Sequence, residues 1–447
     1  MNFRRIIRIL ALPAALAAGF ALAAEPGAAP KAALPPAFED LDDVPLPDPD
    51  LWHRIRMGFV FEPMDSPLVQ ENEAWYASRP DYIRRFVDRG SLYLHHIVEQ
   101  VEKRGMPMEI ALLPVIESAF TPKARSRAKA SGLWQFIPST GKNYGLTQDW
   151  WRDNRNDVVA ATDAALNYLQ RLYDMFGSWE LALAAYNCGE GCVGRAIAAN
   201  QKRGLPTDYL SLKLPNETRS YVPRLIAVKN IVLAPASYGI DLESVPNQPY
   251  FTAVPAPSRI DVPLAAKLAG MSVEDFVALN PAHNKPVAVT AAGTLIVPLD
   301  KADAFRANLE SYDKPLVSWT TYPAKKGEAV DAIAKRHGVT SAQLRAVNDS
   351  FKLDKKGRLR VAQQVLVPMG PRKAPVQVAE ASTATIIDSG VAKDPAPIAK
   401  PGWYTVRAGD TLFGIARRAN TALDQLLHLN NLTAASVLKP GLKLRLQ

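Results

Sequence analysis

The chain has 447 residues, of which 48% are hydrophobic and 22% charged. That is enough apolar surface for several buried cores, and it excludes a wholly disordered, collagenous or disulfide-scaffold protein. The net charge of +9 is not gathered into a basic stripe, so no nucleic-acid partner is expected.

Residues 1–23 predict an export signal: a basic start (Arg4, Arg5, Arg8), an apolar stretch from Ile6 to Leu22, and small residues ending at Ala23. Its removal would lower the net charge to about +6. Pro13 and Gly19 interrupt a stretch already marginal for spanning, so no integral membrane segment is expected in the mature chain. No cysteine lies nearby, so a lipid-anchored lipoprotein is not expected either. Residues 24–50, with PLPDPD at their end, read as a Pro/Ala-rich linker.

From 51 to 245 the apolar residues recur at helical steps, punctuated by Pro and Gly, and long strands are absent. This predicts one all-helical domain. Its final helix runs to Leu233, with Asn216 as N-cap and a kink at Pro223. Beyond 250 the texture changes and repeats. At a constant offset of 82 residues, Gly327, Ile333-Ala334, Gln343-Leu344 and Asn348 fall on Gly409, Ile415-Ala416, Gln425-Leu426 and Asn430. A fainter copy places Gly270, Phe276 and Asn280 on Gly338, Leu344 and Asn348. Each copy ends in a short apolar alternation, which predicts units of strand, two helices and strand at 250–300, 318–370 and 402–447. Residues 371–401 read as a tether.

Chemistry enters at Glu117. It is the acid of a long apolar stretch, ALLPVIESAF, where burial raises a carboxyl toward neutral pH and keeps its proton available. A Glu ending a buried helix with its head in water would have the same local sequence. The six histidines form no HExxH or clustered pattern, and no phosphate-binding glycine loop appears, so neither a metal nor a cofactor is expected. Cys188 and Cys192 bracket Gly189-Glu190-Gly191. In an oxidising compartment this spacing allows a disulfide; two buried thiols are the alternative.

Four motifs follow in order: Glu117-Ser118, Gly132-Leu133-Trp134-Gln135, Ala185-Tyr186-Asn187 and Glu217-Thr218-Arg219-Ser220-Tyr221-Val222. Over roughly residues 90 to 235 they resemble the lytic transglycosylase family. Residues 404 to 446, with YTVRAGDTLFGIA, LNNL and LKPGLKL, resemble a LysM module; 321 to 368 resemble a weaker one and 251 to 298 a degenerate one. The arrangement looks like the membrane-bound lytic murein transglycosylase D type, without its usual lipobox cysteine. The implied fold class is multidomain: an all-α lysozyme-like catalytic domain followed by small α+β (βααβ) LysM-like modules.

The resemblance implies a periplasmic or cell-wall-associated enzyme whose partner is peptidoglycan glycan strands. Glu117 would act as acid and then base, and Ser126 and Gln135 would contact substrate or acid. Tyr186 would orient the acid, Asn187 would fix the turn or touch a sugar, and Glu217 and Tyr221 would close the far wall. Trp134 is placed beside the site. Rival readings are a hydrolase like goose-type lysozyme and a wall-binding protein with a dead catalytic domain.

Overall fold

The structure, a computed structural model, describes residues 49–290, 293–348, 350–370, 402–406, 412–419, 421, 423–432 and 441–446. The export signal, all of the first linker except Pro49 and Asp50, and the tether at 371–401 lie outside them.

The first part is helical: α1 (Leu51–Met57), α2 (Pro67–Ala77), α3 (Pro80–Gly90), α4 (Leu94–Glu102), α5 (Leu113–Ser118), α6 (Pro138–Asn143), α7 (Val158–Phe176), α8 (Trp179–Cys188), α9 (Glu190–Gln201) and α10 (Asn216–Leu233). Local chemistry sets the boundaries. The side chains of Asp50, Ser66, Asp157 and Ser178 each accept a backbone N–H at a helix start, and Gly177, at φ 65°, ends α7. Helix α8 lies between α7 and α10. It buries Leu181 through Ala185 without interruption, as a helix enclosed on every side must.

In α10 the expected cap shifts by one residue. Pro215 holds the cap position without a side-chain bond, and Asn216 is the first helical residue. Pro223 lies inside the helix and cannot donate to the carbonyl of Arg219. The Tyr209 hydroxyl lies 2.9 Å from that carbonyl and 2.9 Å from that of Thr218, and so supplies the donor the proline lacks.

A buried ion pair ties the start of the body to α10. Glu109, fully buried, accepts the N–H groups of Val60 (3.0 Å) and Phe61 (2.8 Å), and Lys229 Nζ stands 3.5 Å from its carboxylate. Lys229 also donates to the Phe61 carbonyl.

The remaining chain forms small units. The first contains β1 (Phe251–Pro255), β2 (Arg259–Asp261), α11 (Val262–Leu268), α12 (Val273–Leu279), β3 (Val287–Val289) and β4 (Thr294–Pro298). Here β1 pairs antiparallel with β4, and β2 with β3. The inner ribbon was not expected, nor was α13 (Ala302–Glu310), which packs back on α11 beyond residue 300. The second unit has β5 (Trp319–Ala324), α14 (Val330–Arg336), α15 (Ser341–Val347) and β6 (Gln363–Pro368); the third has β7 (Trp403–Thr405), α16 (Leu412–Ala419), α17 (Leu423–Leu429) and β8 (Lys443–Arg445). In both, the outer strands pair antiparallel.

The repeated asparagine explains the repeat. Asn280, Asn348 and Asn430 each donate to a carbonyl four residues back and to one on the final strand. Each also accepts an N–H from that strand. One amide thus locks the second helix to the last strand in all three units.

The first unit is docked on the helical body. Tyr93 donates to the Ala278 carbonyl (2.9 Å), Asp153 N–H to Ala282 (2.8 Å), and Asn284 N–H to Trp151 (2.8 Å). Arg259 and Lys285 lie over the rings of Trp151 and Trp150.

Replacing Lys229 by Met would strand the Glu109 charge in the core. A loss of about 3–5 kcal/mol in denaturant unfolding is expected, and the double variant Glu109→Gln/Lys229→Met should recover most of it.

Candidate active site

The short helix α5 places Glu117 at the edge of the apolar core of the helical body. Leu113, Pro114 and Val115 are buried, whereas Glu117 is half-buried. The helix stops abruptly because Ala119 (φ 47°) and Phe120 (φ 54°) both adopt the left-handed conformation, each at a cost of about 1–2 kcal/mol. Buried contacts hold this turn. Phe120 packs against Gly90, where a Cβ would meet its ring at 2.9 Å. Ser118 Oγ donates toward the Leu133 carbonyl at 2.9 Å, joining the first motif to the second.

Burial raises the Glu117 carboxyl to about 7, and the like charge of Glu217 adds to this; the Tyr221 hydrogen bond and the Arg224 charge pull the other way. The Tyr221 hydroxyl donates to Glu117 Oε1. Tyr221 and Glu217 stand four apart on α10, with Tyr221 buried and Glu217 exposed.

Tyr186 differs from the role expected of it. Its hydroxyl donates to the Trp134 carbonyl at 2.8 Å, and the phenol bonded to Glu117 is that of Tyr221. Burial and the nearby Glu117 charge push the Tyr186 and Tyr221 phenols up, so both are neutral donors. Trp134 does not face the site as a ring: its indole is fully buried and bonds Thr162 Oγ1 at 3.0 Å. The second motif placed it beside the site, but its indole packs inward against α7.

Ser126 and Gln135 shape the loop between the motifs and do not bond Glu117. Ser126 Oγ accepts the Ala130 N–H at 3.1 Å. Gln135, at φ 47°, donates to the carbonyls of Ala124 (3.2 Å) and Gly132 (2.8 Å). Asn187 Oδ1 accepts from Thr218 Oγ1 at 2.7 Å, linking the third motif to the fourth. Cys188 and Cys192 form a disulfide with Cα atoms 5.9 Å apart, across the junction of α8 and α9.

Sequence reasoning missed Arg155. It is buried, forks onto Asp153 (2.9 and 2.6 Å), and donates to the carbonyls of Lys129 (2.7 Å) and Phe136 (3.0 Å). Its own carbonyl presses on Gly132, where a Cβ at φ 88° would approach to 1.9 Å. The Gly of the second motif is therefore required by this contact. The Asp153 N–H reaches the first small unit, so a continuous chain of bonds runs from Ala282 to the loop of Ser126 and Gln135. The Asp/Arg pair two residues apart was the available signal, but nothing in it named its distant carbonyl partners.

Other nearby acids have structural partners. Asp149 accepts from the Trp151 and Arg152 N–H groups, Asp157 caps α7, Asp163 pairs with Arg104, and Glu190 accepts from Tyr168. Among the described residues no group of three or more His, Cys, Asp or Glu could hold a metal ion, and no helix is long and apolar enough to cross a membrane.

The raised carboxyl also has a stability signature. A carboxyl whose folded value is near 7, against an ordinary 4.5, stabilises the fold fully below about pH 4.5, and this contribution is lost as pH rises through 7. Glu117→Gln removes the titration, so its melting temperature relative to the parent should rise between pH 4.5 and 8. A gain of about 1–3 kcal/mol at pH 8 is expected, checked by calorimetry at both pH values.

The Transglycosylase SLT domain family matches residues 96–206, the LysM domain family residues 322–368 and 404–447, and the family described as "Lytic transglycosylase MltD, LysM-like domain" residues 250–314. The chain is 36% identical over 418 residues to the membrane-bound lytic murein transglycosylase D of Escherichia coli K12, covering 90% of this chain and 86% of the relative. It is 40% identical over 148 residues to a putative tributyltin chloride resistance protein of an Alteromonas species, covering 33% and 71%. Over 120 residues it is 34% identical to the peptidoglycan transglycosylase gp16 of Escherichia phage T7, covering 26% and 9%. A helical SLT domain followed by LysM units, with such identity along nearly the whole chain, places this protein in the family of the membrane-bound lytic murein transglycosylase D: it is a peptidoglycan lytic transglycosylase.

Proposed function

We propose that Glu117 alone performs both proton transfers in cleaving the β-1,4 bond between N-acetylmuramic acid and N-acetylglucosamine. The observation that carries this reading is the half-buried Glu117 carboxyl, which accepts from Tyr221 and which burial raises to about 7. Glu117 gives its proton to the glycosidic oxygen as the bond to the anomeric carbon breaks. The substrate's 2-acetamido oxygen shares the positive charge on that carbon, so no nucleophilic carboxylate is needed. The 6-hydroxyl then attacks the same carbon and returns its proton to Glu117. A 1,6-anhydro sugar forms and no water is consumed.

A value near 7 suits a group that must donate and accept in one cycle. Tyr221 donates to the carboxylate form and fixes its orientation, while Tyr186 holds the Trp134 backbone and with it the second motif. We assign Ser126 and Gln135, which also shape their loop, and Asn187, which also accepts from Thr218, as substrate contacts. Glu217, exposed at the start of α10, favours the protonated acid through its charge. The disulfide stiffens the turn after Tyr186. Export places the enzyme in the periplasm or at the wall, and the LysM units hold it on its substrate.

Digestion of purified peptidoglycan should yield muropeptides one water lighter than lysozyme products, read by mass spectrometry. Full-mass reducing ends would instead identify a hydrolase. Glu117→Gln should lower turnover at least a hundredfold while sacculus binding persists; a loss below tenfold would mean that another group supplies the proton. For the parent, activity should fall as pH rises above about 7, where Glu117 loses the proton it donates.

Tethering raises the local concentration of enzyme on an insoluble wall. Removing residues 371–447 should therefore weaken sacculus pull-down more than it slows turnover of short soluble glycans. Equal losses on both would assign the third unit a structural role.

A further inference from the structure

Outside the four motifs, α3 carries Tyr82, Arg85 and Arg89 at three- and four-residue steps, on one helical stripe. The stripe borders the turn that holds Glu117. Arg89 Nη1 donates to Thr121 Oγ1 at 3.3 Å, and the Thr121 N–H bonds the Ser118 carbonyl at 2.9 Å. Arg85 lies over the Tyr82 ring at 5.9 Å, and that ring meets the Trp75 ring edge-on at 5.2 Å. Trp75 itself is 39% exposed.

Helix α10 brings a third cation from the other side: Arg224 follows Tyr221, the phenol bonded to Glu117, by three residues. The charges of Arg89, Arg224 and Arg85 all act on the Tyr82 hydroxyl, and that of Arg224 also reaches Glu117. Arg85 and Arg89 thus form a half-buried stripe beside the turn that carries the acid, and Arg224 is half-buried on the helix whose Tyr221 bonds the acid. Arg84, next in sequence, has Asp81 and Glu243 as partners. Arg85 and Arg224 have no ion pair among the described residues.

Such groups are matched to an anion, and guanidinium forks fit carboxylates two bonds at a time. The substrate has carboxylates within reach of its scissile bond, on the acidic peptide attached to the muramic acid sugar. We propose that Arg85 and Arg224 bind the carboxylates of this stem peptide, while Arg89 holds the turn beside them through Thr121. The enzyme then selects stem-bearing over naked glycan. This rests on the reading of Glu117 as the acid of a glycan-cleaving site. It also gives Arg224 a partner whose charge offsets its pull on the Glu117 proton.

The test uses the full chain on glycan strands of equal length, stem-bearing or stripped of stems by an amidase. The parent should favour the stem-bearing strands. The Arg85→Gln variant should lose about tenfold or more in kcat/KM on them, through KM, and stay within about twofold on stripped strands. Raised salt should reproduce the same asymmetry. Arg224→Gln should add to the KM effect and move the fall in activity above pH 7 to higher pH, while Arg224→Lys restores that limb but only part of the KM. Equal losses on both strands, or no loss on either, would overturn the proposal. Activity on stripped strands reports that the variants fold. The product masses test the reaction separately: hydrolytic products would end the transglycosylase mechanism but leave the KM asymmetry to stand or fall alone.

Discussion

A carboxyl group that keeps its proton near neutral pH has to be held away from water without being sealed from its substrate, and this requirement organises the helical body. The short helix α5 places Glu117 at the edge of an apolar core, and two consecutive left-handed residues turn the chain away immediately afterwards. Those residues are strained, so the turn has to be imposed from outside. Phe120 against Gly90 and Ser118 on Leu133 impose it.

The wall opposite the acid is α10, and its composition looks unsuited to the task. A proline in the interior of a helix ordinarily breaks it, yet this helix must carry Glu217, Tyr221, Arg224 and Lys229 in fixed register. The Tyr209 hydroxyl repairs the ladder at the point of damage, and Lys229 anchors the far end through Glu109. The Tyr221 hydroxyl can therefore meet Glu117 without a mobile segment between them.

The helical body and the repeated units were legible because both rest on periodic apolar residues and on glycine and asparagine at positions no other side chain fills. Asn348 and Asn430 aligned because each satisfies the same three backbone groups. The inner ribbon of the first unit escaped notice because two strands of three residues carry too little alternation to read. In the site, spacing could show that four motifs follow one another, but not which hydroxyl bonds which oxygen. Tyr186 and Tyr221 are equivalent in sequence terms; only the packing of α8 and α10 directs one to a backbone carbonyl and the other to Glu117. Arg155 stayed hidden because its partners are carbonyls, and a carbonyl leaves no trace in the identity of its residue.

The docking of the first small unit bears on how such a chain can change over evolutionary time. Units joined only by linkers can be duplicated, lost or exchanged without disturbing the enzyme. This one has committed backbone groups of Ala278, Ala282 and Asn284 to Tyr93, Asp153 and Trp151, and through Asp153 and Arg155 it reaches the loop of Ser126 and Gln135. Loss of a peripheral unit would trim the enzyme's grip, whereas loss of this one would leave buried donors and acceptors of the catalytic body facing water. Two demands therefore bear on its sequence: the internal lock made by Asn280 and the surface it shares with the helical body.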